Sequence, residues 1–146
     1  MQIRLLTDPD AAETEITIRC READAEVVRL LATLRAMDRK LTGEKDGELH
    51  LIAPKDIYYA DTVDKKTFLY AAKAVYETPL RLYEIEDRLA AHDFIRISKA
   101  SVVNFGKVQS IRPEYNGRLL LTLQNGETLI ASRQYALEIK KLLEVT

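Results

Sequence analysis

Two Asn-Gly dipeptides, Asn116-Gly117 and Asn125-Gly126, bracket the apolar run Leu119-Leu120-Leu121-Thr122-Leu123, and a second run follows at 128–131. Asn and Gly take positive φ at little steric cost, as a type I′ turn requires, so each dipeptide predicts a tight antiparallel reversal. The last third of the chain is therefore expected to be a meander of short strands. Ser132 then stands where it can cap a final helix with apolar positions Ala136, Ile139, Leu142 and Leu143.

The same strand character extends upstream. Short apolar or aromatic runs at 49–52, 56–59, 67–72, 74–76, 94–97 and 101–105 carry Tyr58, Tyr59, Phe68, Tyr70 and Tyr76, residues that suit a pleated surface. Thr78-Pro79 is expected to open a helix between them, with Leu82, Ile85 and Leu89 as its buried stripe. The first 46 residues read as strand, strand, helix. Strands are expected at 2–6 and 14–20, the second from the alternation Ile16, Ile18, Cys20. A helix follows whose stripe is Val27, Leu30, Leu31, Leu34, Met37 and Leu41. The polar stretch 42–47, with two glycines, is the best linker candidate. The expected fold is thus mainly β with short helices: an antiparallel unit over 47–146, preceded by a small β-β-α extension over 1–46.

Composition narrows the function. The 146 residues are 47% hydrophobic and 31% charged, enough for a real core. No apolar run approaches the roughly 20 residues of a membrane-spanning helix, and an acid at Asp8 comes too early for a secretory signal. A soluble cytoplasmic protein is expected. The single cysteine, Cys20, excludes an internal disulfide and every multi-cysteine metal site, and its place in the alternation suggests a small buried hydrophobe. His50 and His92 lack a second ligand at metal spacing. Residues 43–47 lack the pattern of a phosphate-binding loop, and the acids Asp61 and Asp64 read as surface carboxylates. No enzyme, metal or cofactor is expected.

The net charge of −1 conceals a gradient: −2 over residues 1–46, −3 over 47–93 and +4 over 94–146. A basic C-terminal third can present a local positive surface. Three connections carry long polar donors between regular elements: Asp64-Lys65-Lys66-Thr67, the stretch from Arg96 through Ser98-Lys99 to Ser101, and Ser132-Arg133-Gln134. Such positions suit phosphate contact and base-edge reading. On spacing alone they also read as ordinary solvated turns.

The combined pattern resembles the LytTR family of DNA-binding domains over about residues 47–146. Leu89, Phe94, Arg96, Ile97, Val102, Val103, Asn104, Ile111, Gly126, Ser132, Arg133 and Tyr135 fall in the family's places, while Ala60 stands where an acid is common. The resemblance implies an elongated antiparallel fold whose connections, rather than a recognition helix, enter successive major grooves of duplex DNA. By alignment the first contact falls at Lys65 or Lys66, the second at Ser98 and Lys99, and the third at Arg133 or Gln134. The family usually has histidine where this chain has Ser98, which makes Lys99 the stronger candidate. Arg96 either reaches phosphate or braces the loop, and Asn104 is expected to fix a turn.

Many family members carry a receiver domain, which needs about 120 residues, so the 46 preceding the linker suggest the stand-alone type. Asp8 and Asp10 are then not phosphorylation sites. The resemblance makes a sequence-specific transcriptional regulator the expected function, acting as a homodimer partly through residues 1–46, with a small membrane protein as a candidate regulatory partner. The alternative is a protein-interaction module or anti-regulator that keeps the fold without binding DNA.

Overall fold

The computed structural model describes residues 1–144, and their side chains except those of Ala36, Met37 and Asp38. The chain forms two compact units, residues 1–35 and the remainder from Ala36.

In the first unit, the expected strands at 2–6 and 14–20 do not form. Ile3, Leu5, Leu6 and Ile16 are exposed, and so is Cys20, which is therefore not the buried hydrophobe its alternation suggested. Alternation alone does not make a strand: the backbone donors and acceptors need a neighbour, and an isolated two-stranded ribbon is marginal in water. The helix does form. It is α1, Ala25–Arg39. The Asp24 carboxylate caps it by accepting from the Val27 N–H at 3.0 Å, and Val27, Leu30, Leu31 and Leu34 form its half-buried stripe. The expected role of the Met37 side chain lies outside the described residues. Leu41 is not on the helix.

Leu41 instead starts strand β1, Leu41–Lys45, and is a core residue. The stretch expected as a linker is thus a hairpin: β1 pairs with β2, Glu48–Ile52, across Asp46-Gly47, which take φ of 53° and 79°. Those two positive angles are the type I′ signature. Gly43 is there because space is short: a Cβ would sit 2.5 Å from that of Tyr76.

Five further strands complete the main sheet: β3 Ile57–Val63, β4 Lys66–Ala71, β5 Val75–Thr78, β6 Phe94–Ser98 and β7 Ser101–Asn104. Their order is β2-β1-β5-β4-β3-β7-β6, antiparallel throughout. A second, three-stranded sheet is the meander β8 Val108–Pro113, β9 Leu119–Leu123 and β10 Thr128–Ala131. Both Asn-Gly sites reverse the chain, by different means. Asn116 and Gly117 both take positive φ within a longer loop, whereas at the second site only Gly126 does. The Gly126 N–H donates to Leu123 O at 2.9 Å, so Gly126 follows a tight turn in the left-handed conformation, the usual three-residue alternative to type I′.

Helix α2, Leu82–Arg88, begins three residues beyond Pro79. Thr78 Oγ1 accepts from the Leu80 N–H, and Glu84 Oε1 reaches back to the Arg81 N–H at 3.1 Å, so the carboxylate rather than the proline fixes the start. The last helix, α3, spans Arg133–Glu144.

Two cores result. Leu82, Ile85 and Leu89 pack with Leu41, Ile57, Leu69, Phe94 and Val102; Ile97 and Val103 pack with Leu119, Leu121, Leu123, Ala136 and Ile139. Strands β6 and β7 serve both, because successive side chains on a strand point to opposite faces. Truncating a wholly buried member such as Ile85 or Leu121 to alanine removes about 2–5 kcal/mol of stability.

Candidate nucleic-acid interface

The β3–β4 hairpin closes through Asp64 and Lys65, with Val63 opposite Lys66. Both turn residues take positive φ, 51° and 67°, which makes a type I′ turn without glycine. Aspartate tolerates that conformation; lysine is an uncommon choice there. Lys66 pairs with Glu77 at 3.7 Å. Lys65, Lys66 and Arg81 line one hollow together with Glu44 and Glu77.

The β6–β7 hairpin turns through Lys99 and Ala100, with Ser98 opposite Ser101. Lys99 is exposed. Ser98 Oγ accepts from the Ala100 N–H at 3.2 Å, and the Ala100 carbonyl accepts from the Thr62 N–H at 2.9 Å. That last bond ties the Lys99 turn to the end of β3, so the Lys65 and Lys99 turns share one end of the sheet. The Arg96 guanidinium lies against the turn from inside, donating to the Ser98 and Lys99 carbonyls.

The third connection is fixed to the second. The Ser132 N–H donates to Ile97 O at 2.8 Å, and the Ser132 carbonyl accepts from the Ala136 N–H to start α3. Arg133 and Gln134, both exposed, therefore emerge beside Lys99. Lys99, Asn116, Arg118, Ser132, Arg133 and Gln134 line a single open hollow. Arg133 passes over Gly117, where an added Cβ would meet Arg133 Cγ at 3.3 Å. Three basic side chains with two amide-bearing ones make a positive depression rich in donors, chemistry that suits phosphates and base edges.

Of the candidates named from sequence, Lys65 and Lys66 thus line one hollow and Lys99, Arg133 and Gln134 the other, while Arg96 and Ser98 line neither. Not singled out in the sequence were Asn116, marked only as part of a hairpin turn, Arg118, which follows that turn, and Arg81, which no motif marked. An arginine directly after an Asn-Gly turn was the available signal for Arg118. Asn104 behaves as expected: buried, it donates from Nδ2 to Ile57 O at 2.9 Å and accepts from the Gly106 N–H at 3.0 Å.

Behind the Lys99 turn lies an acidic and phenolic cluster. Asp61 stands opposite Ser101 in register, and among the described residues its buried Oδ1 has no hydrogen-bond partner. Burial raises the Asp61 carboxyl above its ordinary value, and the neighbouring Tyr70 hydroxyl only partly offsets this. Tyr59 and Tyr70 stack with centroids 4.2 Å apart. Burial first, then Asp61, pushes the Tyr70 hydroxyl up to about 12. Tyr59 is raised likewise, by burial first and then by the Glu127 carboxylate.

The remaining candidates sit elsewhere. His50 packs near Tyr76 and lies 3.8 Å from Glu48, while His92 is exposed just after α2. Among the described residues no three His, Cys, Asp or Glu side chains group to hold a metal ion, and no helix is long and apolar enough to cross a membrane.

A sequence model of the LytTr DNA-binding domain matches residues 47–144. The chain belongs to the LytTR family. Over 99% of its length it is 28% identical to proteins described as uncharacterized HTH-type transcriptional regulators from Staphylococcus aureus, strains NCTC 8325 and N315, and it covers 99% of each. It is also similar to a solved LytTr DNA-binding domain from Bacillus cereus, with a TM-score of 0.69 and 28% identity over 72% of this chain and 96% of that one. The LytTR domain here is mainly antiparallel β, and five strands separate its α-helices α2 and α3, so these two are not joined by the short turn of a helix-turn-helix.

Proposed function

We propose that this protein is a sequence-specific transcriptional regulator that reads duplex DNA in the major groove through its connections. Lys99 and Ser98, Arg133 and Gln134, and the β8–β9 loop with Asn116 and Arg118 form one contact group; Lys65 and Lys66, helped by Arg81, form another. The observation that carries this reading is the Ser132 N–H to Ile97 O bond, which brings two loops distant in sequence to the same hollow. Loops held this way lose little freedom on binding, which favours specific over merely electrostatic attachment.

The protein acts in the cytoplasm and catalyses no reaction. It works as a homodimer, partly through residues 1–46, because one module of this size supplies limited contact and paired half-sites double it. A small membrane protein remains the candidate partner for its control, a reading supported by family resemblance alone.

Selection of bound duplexes from a random pool tests the whole. The expected product is a two-half-site motif spaced by about one helical turn. Absence of any salt-dependent DNA retention would sink the reading in favour of a protein-interaction module.

A further inference from the structure

We propose that Arg96 and Glu86 form a positioning pair, which holds the Ser98–Lys99 turn in its reading shape without touching DNA. The inference rests on the reading of that turn as a DNA contact. Arg96 Nε donates to Ser98 O at 2.8 Å and Nη2 donates to Lys99 O at 2.6 Å, so one planar guanidinium clamps two consecutive carbonyls. Its third nitrogen, Nη1, meets Glu86 Oε2 at 3.3 Å.

Position explains why the clamp is needed. The β6–β7 register shifts between Arg96 and Ser98, so the ladder is irregular immediately before the turn. Bulges of this kind re-aim side chains but leave backbone groups short of partners. Arg96 supplies donors at that point. It lies on the face of β6 that carries Phe94 into the α2 core, which brings it beside Glu86, itself placed by the buried residues Leu82, Ile85 and Leu89. To reach a phosphate, Arg96 would have to release the turn it holds. Its side chain is only 22% exposed.

The test measures affinity of the full-length protein for its selected operator and for random duplex over a range of salt. In Arg96→Lys the charge stays but the two-carbonyl clamp goes, so operator affinity falls about tenfold, random-duplex affinity changes little, and the salt slope is retained. Glu86→Gln moves the same way by less, although removing an acid would by charge alone tighten every DNA. A salt slope lowered by about one in Arg96→Ala would show that it meets phosphate and would overturn the proposal. So would a Glu86→Gln variant that binds all duplexes more tightly. If the wild type shows no operator preference, the DNA reading fails, and the pair is judged separately by exchange of the Arg96 Nε–H in NMR. Slow exchange that quickens in Glu86→Gln supports the pair; fast exchange in the wild type refutes it. Melting curves confirm that each variant is folded.

Discussion

Arg133 Cγ lies where a methyl group on Gly117 would come within 3.3 Å of it, so a loop glycine and a candidate DNA contact share one space. Gly117 also holds φ at +78°, a conformation a side chain resists. Gly117→Ala should therefore lose about 1 kcal/mol of stability and displace Arg133, weakening operator binding. Gly47→Ala is the matched control, since its φ is +79° and nothing lies within 4 Å of the added carbon. It should lose similar stability and bind DNA normally. Calorimetry and binding on both variants check the pair.

Lys99 is exposed at the tip of a turn whose carbonyls are both held. If it reads a base, Lys99→Ala should cost about 1–3 kcal/mol of operator affinity and relax preference at one position. Sequencing the duplexes selected by the variant shows whether one position has lost its information. A uniform loss over all sequences would make Lys99 a phosphate contact.

At Lys65 stability and binding should move in opposite directions. Lysine at φ 67° is strained, and glycine there is not. The relief, about 1–2 kcal/mol, is partly offset by the greater freedom of glycine in the unfolded chain, leaving Lys65→Gly more stable by roughly half a kcal/mol. The same change removes a cation, so the salt slope should fall by about one if Lys65 meets phosphate. Denaturant midpoints and salt titrations report the two effects separately.

The cluster behind the Lys99 turn predicts two pH effects. Asp61 is raised, chiefly by burial, so the folded state favours its protonated form. Its contribution is complete below the ordinary value of 3.8 and is lost as pH rises through the folded value. Asp61→Asn, uncharged and of similar shape, should match or exceed wild-type stability at neutral pH, with the difference vanishing in acid. Tyr70, raised from 10.0 to about 12, acts at the other end. Between those values the unfolded chain ionises first, so stability falls as pH rises. In Asp61→Asn the Tyr70 titration should move down, visible as phenolate absorbance.

What the sequence disclosed was local. The Asn-Gly reversals, the stripe Leu82-Ile85-Leu89 and the α3 positions Ala136 and Ile139 follow from turn chemistry and periodicity within a few residues. Strands need partners, which is why the alternation at 14–20 promised one that does not form, while the polar stretch 42–47 concealed one that does. Gly43 shows the cause: it read as flexibility, yet it serves close packing against Tyr76. The candidate contacts divide in the same way. Lys65, Lys66, Lys99, Arg133 and Gln134 were legible because motif and resemblance mark their loops. Arg81 was not, because only tertiary packing brings it alongside Lys65 and Lys66, and Arg118 carried no more signal than its place after an Asn-Gly turn.

Val102 and Val103 are sequence neighbours that plug into different cores from the same strand. The β6–β7 ribbon is thus a common wall, and the Lys99 turn is its end. Loosening either core withdraws support from that turn, so damage to one core is felt at a surface that both of them carry.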